Sequence, residues 1–189
     1  MGGEQNLPSY LKNSPLTLCN KHDTLPFILP NRMNKKDCIV RSNYPIPDKV
    51  GIFYFEVEII SKGRDGLIGV GFCEKEVPLD RLPGWESKSF GYHGDDGNKF
   101  ESTGTGAPYG PLFTTGDTIG CAINFFSKKA FYTKNGKNLG VAFQNLPGND
   151  YYPTTIFEIE KNNHQNEITQ WYDNLIINQQ QQPEVDNIE

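Results

Sequence analysis

Residues 91–97 read GYHGDDG, and they set one of the chain's three histidines just ahead of two adjacent carboxylates. A histidine beside an acid is the pairing used in general-base catalysis, with His93 taking a proton and Asp95 or Asp96 orienting its ring. Hydrolysis by that route also needs a nucleophile and an oxyanion hole. Ser87, Ser89 and Ser102 lie nearby in sequence, and none sits in a G-x-S-x-G elbow. The same carboxylates suit a divalent cation such as calcium, but calcium loops place three or more acids at alternating positions, whereas adjacent side chains diverge. The reading the glycines favour is a tight turn, in which Gly94 and Gly97 take unusual φ and the aspartates accept local backbone N–H bonds. It assigns no catalytic residue and no metal.

Other candidates reduce in the same way. STGTGAPYGP, residues 102–111, offers three glycines to a phosphate, yet Pro108 and Pro111 fit a loop, and no G-K-S/T follows. Cys73 and Cys121 fall inside apolar segments, where a buried, inert thiol is expected. Trp85 in LPGWE, flanked by Arg81 and Glu86, suits a core edge or a ligand anchor equally well. With Arg64, Tyr92, His93 and Tyr109 it makes the amphipathic mixture that peptide-binding surfaces favour.

The elements that must position these groups read as strands. A chain of 189 residues suffices for one domain with a full core. Nineteen glycines and thirteen prolines cut it into short apolar runs. GIFYFEVEII alternates Phe53, Phe55, Val57 and Ile59 against Tyr54, Glu56 and Glu58, the pattern of a half-buried strand. LIGVGFC, FGYHG, TIGCAINFF, KAFYTKNG, NLGVAF and YYPTTIFEI follow as further strands. Asn135–Gly136 predicts a two-residue hairpin that pairs KAFYT with LGVAF. Many short strands with close turn signals imply an all-β fold, a two-sheet antiparallel β-sandwich with almost no helix. Residues 1–37 read as an arm lying on the sandwich, EITQWY as a last strand and residues 174–189 as a polar, disordered tail.

Charge narrows the partners. A net charge of -5 and scattered lysines argue against nucleic acid. Four cysteines without C-x-x-C argue against structural zinc. No apolar stretch approaches bilayer length and no N-x-S/T acceptor occurs, so a cytoplasmic or nuclear home is expected, without a membrane.

Taken in order, PIPDKVGIFYFEVEIISKGRDGLIGVGF, LPGWESKSFGYHGDDG, GTGAPYGPLFTTGDTIGCAINF and FYTKNGKNLGVAF resemble a SPRY domain, the core of the B30.2 fold, over about residues 38–157 of a domain placed at 38–173. LPGWE, GYHGDDG and YGPLFTTGD resemble in particular the Ran-binding protein M branch, scaffold subunits of the CTLH/GID-type ubiquitin ligase. The departure is TIFEIEKNNHQNEITQWYDN, longer and more polar than the family's last turn and strand. The resemblance implies a concanavalin-like sandwich, no catalysis, no cofactor, and recognition of a protein or peptide by surface loops. Carried onto this sequence, the binding positions are Arg41, Tyr44, Pro45, Ile46, Pro47, Arg64, Asp65, Leu82, Pro83, Gly84 and Trp85. Tyr92 and His93 join them if their ring faces are exposed. The expected function is a peptide-binding or scaffold module with ligase subunits or substrates as partners; the alternative is a permanent structural subunit of a ciliary or chromatin assembly.

Overall fold

The computed structural model describes residues 27–28, 37–47, 51–62, 66–148 and 150–158. Eleven strands run in sequence order: β1 Phe27–Ile28, β2 Asp37–Ser42, β3 Ile52–Glu58, β4 Gly69–Cys73, β5 Ser89–His93 and β6 Asn98–Glu101, then β7 Ala107–Pro108, β8 Thr118–Asn124, β9 Lys129–Lys134, β10 Lys137–Phe143 and β11 Tyr152–Glu158. They form two antiparallel sheets, β1-β2-β11-β4-β5-β6-β7 and β10-β9-β8-β3, with no helix among the described residues. The all-β, two-sheet reading of the sequence is what the protein forms.

The alternation of β3 is observed as read. Phe53, Phe55 and Val57 are buried and face the other sheet, while Ile52 and Glu58 are exposed. The core between the sheets is aromatic: Phe72 stacks on Phe90 at 4.9 Å, Phe143 meets Phe90 edge-on at 5.2 Å, and Tyr151 closes on Phe72 at 5.0 Å. Truncating one such ring to alanine costs about 3–5 kcal/mol, because the rigid surroundings cannot collapse into the space.

The Asn135–Gly136 hairpin forms as expected. Both residues take positive φ, 50° and 77°, and Lys137 faces Lys134 across the turn. β2, β6 and the two-residue β1 and β7 were not among the expected strands. Asp37–Ser42 carries Asp, Arg and Ser between its apolar residues, and Asn98–Glu101 is four residues long, so neither shows a clean period. Of the arm, Phe27–Ile28 pairs with β2, while EITQWY and residues 174–189 lie outside the described residues.

β4 and β5 are buried along their whole length, although period 2 would leave every second residue wet. One face carries Val70, Phe72, Phe90 and Tyr92 into the core. The other face is covered by the segment that joins the two strands, and that covering is where the candidate residues gather.

Candidate functional site

Loop 74–88 leaves β4 and folds back over the outer face of the larger sheet. Arg41 fixes its start: Nη1 donates to the carbonyls of Glu74, Lys75 and Val77 at 3.4, 2.5 and 3.2 Å, and its guanidinium lies 5.4 Å from the Tyr152 ring centre. The neck is closed by Glu74 N donating to Lys88 O at 3.1 Å and by the Lys88–Glu74 ion pair at 2.6 Å.

The tip, Leu82–Trp85, rests on a floor of glycine. A Cβ at Gly91 would overlap the Pro83 carbonyl oxygen, and one at Gly69 would press on Pro83 Cδ at 3.3 Å. Gly84 sits at φ 91°, a left-handed value, and a Cβ there would meet Phe100 at 2.5 Å. Three polar contacts then lock the turn. Gly84 N donates to Ser89 Oγ at 2.7 Å, Thr103 N donates to Gly84 O at 2.9 Å, and His93 Nε2 donates to Pro83 O at 2.8 Å.

His93 is therefore a clamp inside the fold. It is 2% exposed and stacks on Phe100 at 4.0 Å between ring centres. Burial pushes its pKa below the usual histidine value, against the opposing pull of the Pro83 carbonyl and of Asp95 and Asp96. The Oγ atoms of Ser89 and Ser102 accept from Gly84 N and Lys88 N, and the His93 Nε2 that a general base would use donates to Pro83 O. A ring nitrogen of His93 and one oxygen each of Asp95 and Asp96 lie within 4.8 Å of one another, so these are the residues that could hold a metal. Nε2 is spent on Pro83, and Asp96 accepts from Asn98 N and Nδ2 at 2.9 Å each, as a turn carboxylate does.

The turn itself differs from expectation at one glycine. Gly97 takes φ 71°, but Gly94 does not have positive φ; it is required because a Cβ would meet the Phe113 ring at 2.8 Å. The exposure expected of Tyr92 and His93 is also corrected. Tyr92 is fully buried, with its hydroxyl donating to the Pro111 carbonyl, since residue 92 faces the core and residue 93 faces the covering loop.

Ile46, Leu82, Pro83 and Gly84 are buried as well, Ile46 N donating to Tyr151 O at 2.6 Å. Tyr44 is 42% exposed, Pro45 and Pro47 are half-buried, and Trp85 is half-buried at the loop tip. Arg64 and Asp65 lie outside the described residues. The 74–88 loop thus runs from the Arg41 contacts at its start to Trp85 at its tip. Arg81, absent from the expected set, places its guanidinium 5.7 Å from the Trp85 ring centre while its Nε pairs with Glu86 at 3.2 Å. Its spacing of four before the tryptophan is the signal that could have found it. Tyr109 is structural, since its hydroxyl donates to Gly140 O at 2.7 Å and accepts from Tyr132 N at 3.1 Å.

The profile of the SPRY domain matches residues 52–170. The chain belongs to the SPRY domain family. SPRY domains are protein-interaction modules. This SPRY protein is 59% identical over 123 residues to Ran-binding protein 9 of Xenopus laevis, covering 65% of this chain and 22% of that protein. It is 40% identical over 116 residues to the Ran-binding protein M homolog of Arabidopsis thaliana, covering 61% of this chain and 25% of that one. The chain therefore spans about a fifth to a quarter of the length of these curated relatives. Among solved structures, a human SPRY domain superposes with a TM-score of 0.60 at 27% identity, covering 71% of this chain and 90% of the other. The SPRY domain of human HERC1 gives 0.58 at 19% identity, covering 67% and 78%, a likeness of fold.

Proposed function

We propose that this SPRY domain is a non-enzymatic module that captures an extended or looped segment of a partner protein on the surface formed by Tyr44, loop 74–88 and Trp85. The observation that carries this reading is the Arg81–Trp85 pair. A partly buried indole beside a guanidinium whose side chain is 52% exposed sits on a turn held by buried bonds. Trp and Arg dominate binding hot spots, and an anchor already fixed in place loses little conformational entropy when a partner docks. Within the cell the module serves as a recruiting or scaffold part of a CTLH/GID-type ubiquitin ligase in cytoplasm or nucleus. Its 59% identity to Ran-binding protein 9 supports this finer reading.

Selection of a random peptide display library on the immobilised protein tests the site. Enriched peptides are expected to bind the wild type and to lose about tenfold or more in affinity to Trp85→Ala and Arg81→Ala, the loss usual for a hot-spot residue. An enriched set that binds both variants as well as the wild type would remove the site. Co-purification of the tagged, natively expressed protein with LisH- and CTLH-bearing subunits tests the ligase role, and their absence would end it.

A further inference from the structure

Asn135–Gly136 is the only Asn–Gly step in the sequence. In a flexible polypeptide this dipeptide deamidates readily, because glycine offers its backbone nitrogen without a side chain in the way. The Gly136 nitrogen loses its proton to solvent base and attacks Asn135 Cγ. The Cγ–Nδ2 bond then breaks and ammonia leaves. Water opens the resulting succinimide at either carbonyl, giving aspartate or isoaspartate. No electrons change hands, and water is the only co-reactant.

The fold leaves this step sterically open and blocks it by hydrogen bonding. Asn135 and Gly136 are exposed, and nothing stands within 4 Å of where a Gly136 Cβ would be. Yet Asn135 Oδ1 accepts from Thr118 N at 2.8 Å, its Nδ2 donates to Asp117 Oδ1 at 2.8 Å, and its backbone N donates to Thr118 O at 2.8 Å. All three bonds tie the residue to the start of β8, so Cγ cannot swing toward Gly136 until the amide lets go of Asp117 and Thr118. Asp117 is itself anchored, accepting from Thr114 N at 2.9 Å and pairing with Lys134 at 3.1 Å.

We propose that Asn135 is a gated deamidation site: the Asp117 and Thr118 contacts hold it closed, and conversion proceeds in proportion to the fraction of time the turn is released from them. The product registers in the fold. A carboxylate at 135 faces Asp117 with like charge where a donor had been, and an isoaspartyl link adds a backbone methylene to a two-residue turn whose register places Tyr132 and Phe143 in the core.

The full-length protein is incubated in mildly alkaline buffer, folded and in denaturant, and conversion at residue 135 is followed by peptide mapping with mass spectrometry. Folded wild type should convert slowest and denatured protein fastest. Asp117→Ala should convert about tenfold faster than folded wild type, the factor expected on losing a bond to a charged acceptor. Asp117→Asn, which keeps an acceptor for Nδ2 but loses the Lys134 ion pair, should stay near the wild-type rate. Equal rates for folded and denatured wild type would overturn the proposal, and so would a folded Asp117→Ala variant that converts no faster than wild type. Should Asp117→Ala unfold, the folded-against-denatured comparison and the Asp117→Asn rate still decide.

Discussion

His93 Nε2 donates to the Pro83 carbonyl across 2.8 Å, and with the Gly84 N to Ser89 Oγ bond it ties the LPGW turn to the strand beneath it. A histidine between glycines, next to two acids, is here the fastener of the loop that covers the sheet. Substitution separates its two contributions. His93→Phe keeps a ring to stack on Phe100 but leaves the buried Pro83 carbonyl without its donor, which should cost about 1–3 kcal/mol in urea unfolding. His93→Ala loses the packing too and should cost more. An equal and negligible loss in both variants would mean that the turn is held by Ser89 and Thr103 alone.

The same burial makes stability depend on pH. The folded pKa of His93 lies below its ordinary value of 6.5, so between those two pH values the unfolded state binds the extra proton. Stability is therefore full above pH 6.5 and falls as pH drops toward the folded pKa. Chemical denaturation measured at steps from about pH 7 to 5 should show this decline in wild type and a flatter profile in His93→Phe. A wild-type curve that rises on acidification would contradict it.

Gly84 offers a sharper test of the loop's geometry. Its φ of 91° and the 2.5 Å approach to Phe100 both exclude a side chain. Gly84→Ala should destabilise by more than about 1 kcal/mol, since strain in the left-handed region adds to overlap with a packed neighbour. Gly116, also left-handed at φ 85° but with nothing within 4 Å, is the control that shows the strain alone. Comparable melting temperatures for the two alanine variants would show that the glycine floor tolerates displacement.

How much of this was legible follows from what each signal encodes. β3 and the Asn135–Gly136 hairpin declared themselves because period 2 and paired positive φ are properties of a few adjacent residues. The burial of Tyr92 and His93 did not, because Tyr92 is covered by Tyr109, Phe113 and Tyr132 and His93 by a segment ten residues earlier lying across the sheet, tertiary facts that no local pattern records. Alternation correctly puts residues 92 and 93 on opposite faces, but it cannot say that both faces are covered. Arg41 was read as a surface contact for the same reason. Its three carbonyl partners lie 33 to 36 residues away.

Arg41 supplies the last prediction. Nη1 reaches three carbonyls from the end of the side chain while the planar guanidinium lies over Tyr152, and a lysine is one bond shorter and has no plane to set against the ring. Arg41→Lys should therefore loosen the start of loop 74–88 and cost about 1–2 kcal/mol, with Arg41→Ala costing more. Hydrogen exchange should localise the change. The amide of Val77, which donates to Glu74 O at 3.3 Å, should lose protection, while amides of β8 and β9 keep theirs. Because Trp85 stands at the far end of that loop, peptide affinity should fall as well, although Arg41 need not touch the peptide. If affinity held while exchange at residue 77 rose, the two ends of the loop would be mechanically independent, and Trp85 would owe its position to the His93–Pro83 bond and its glycine floor alone.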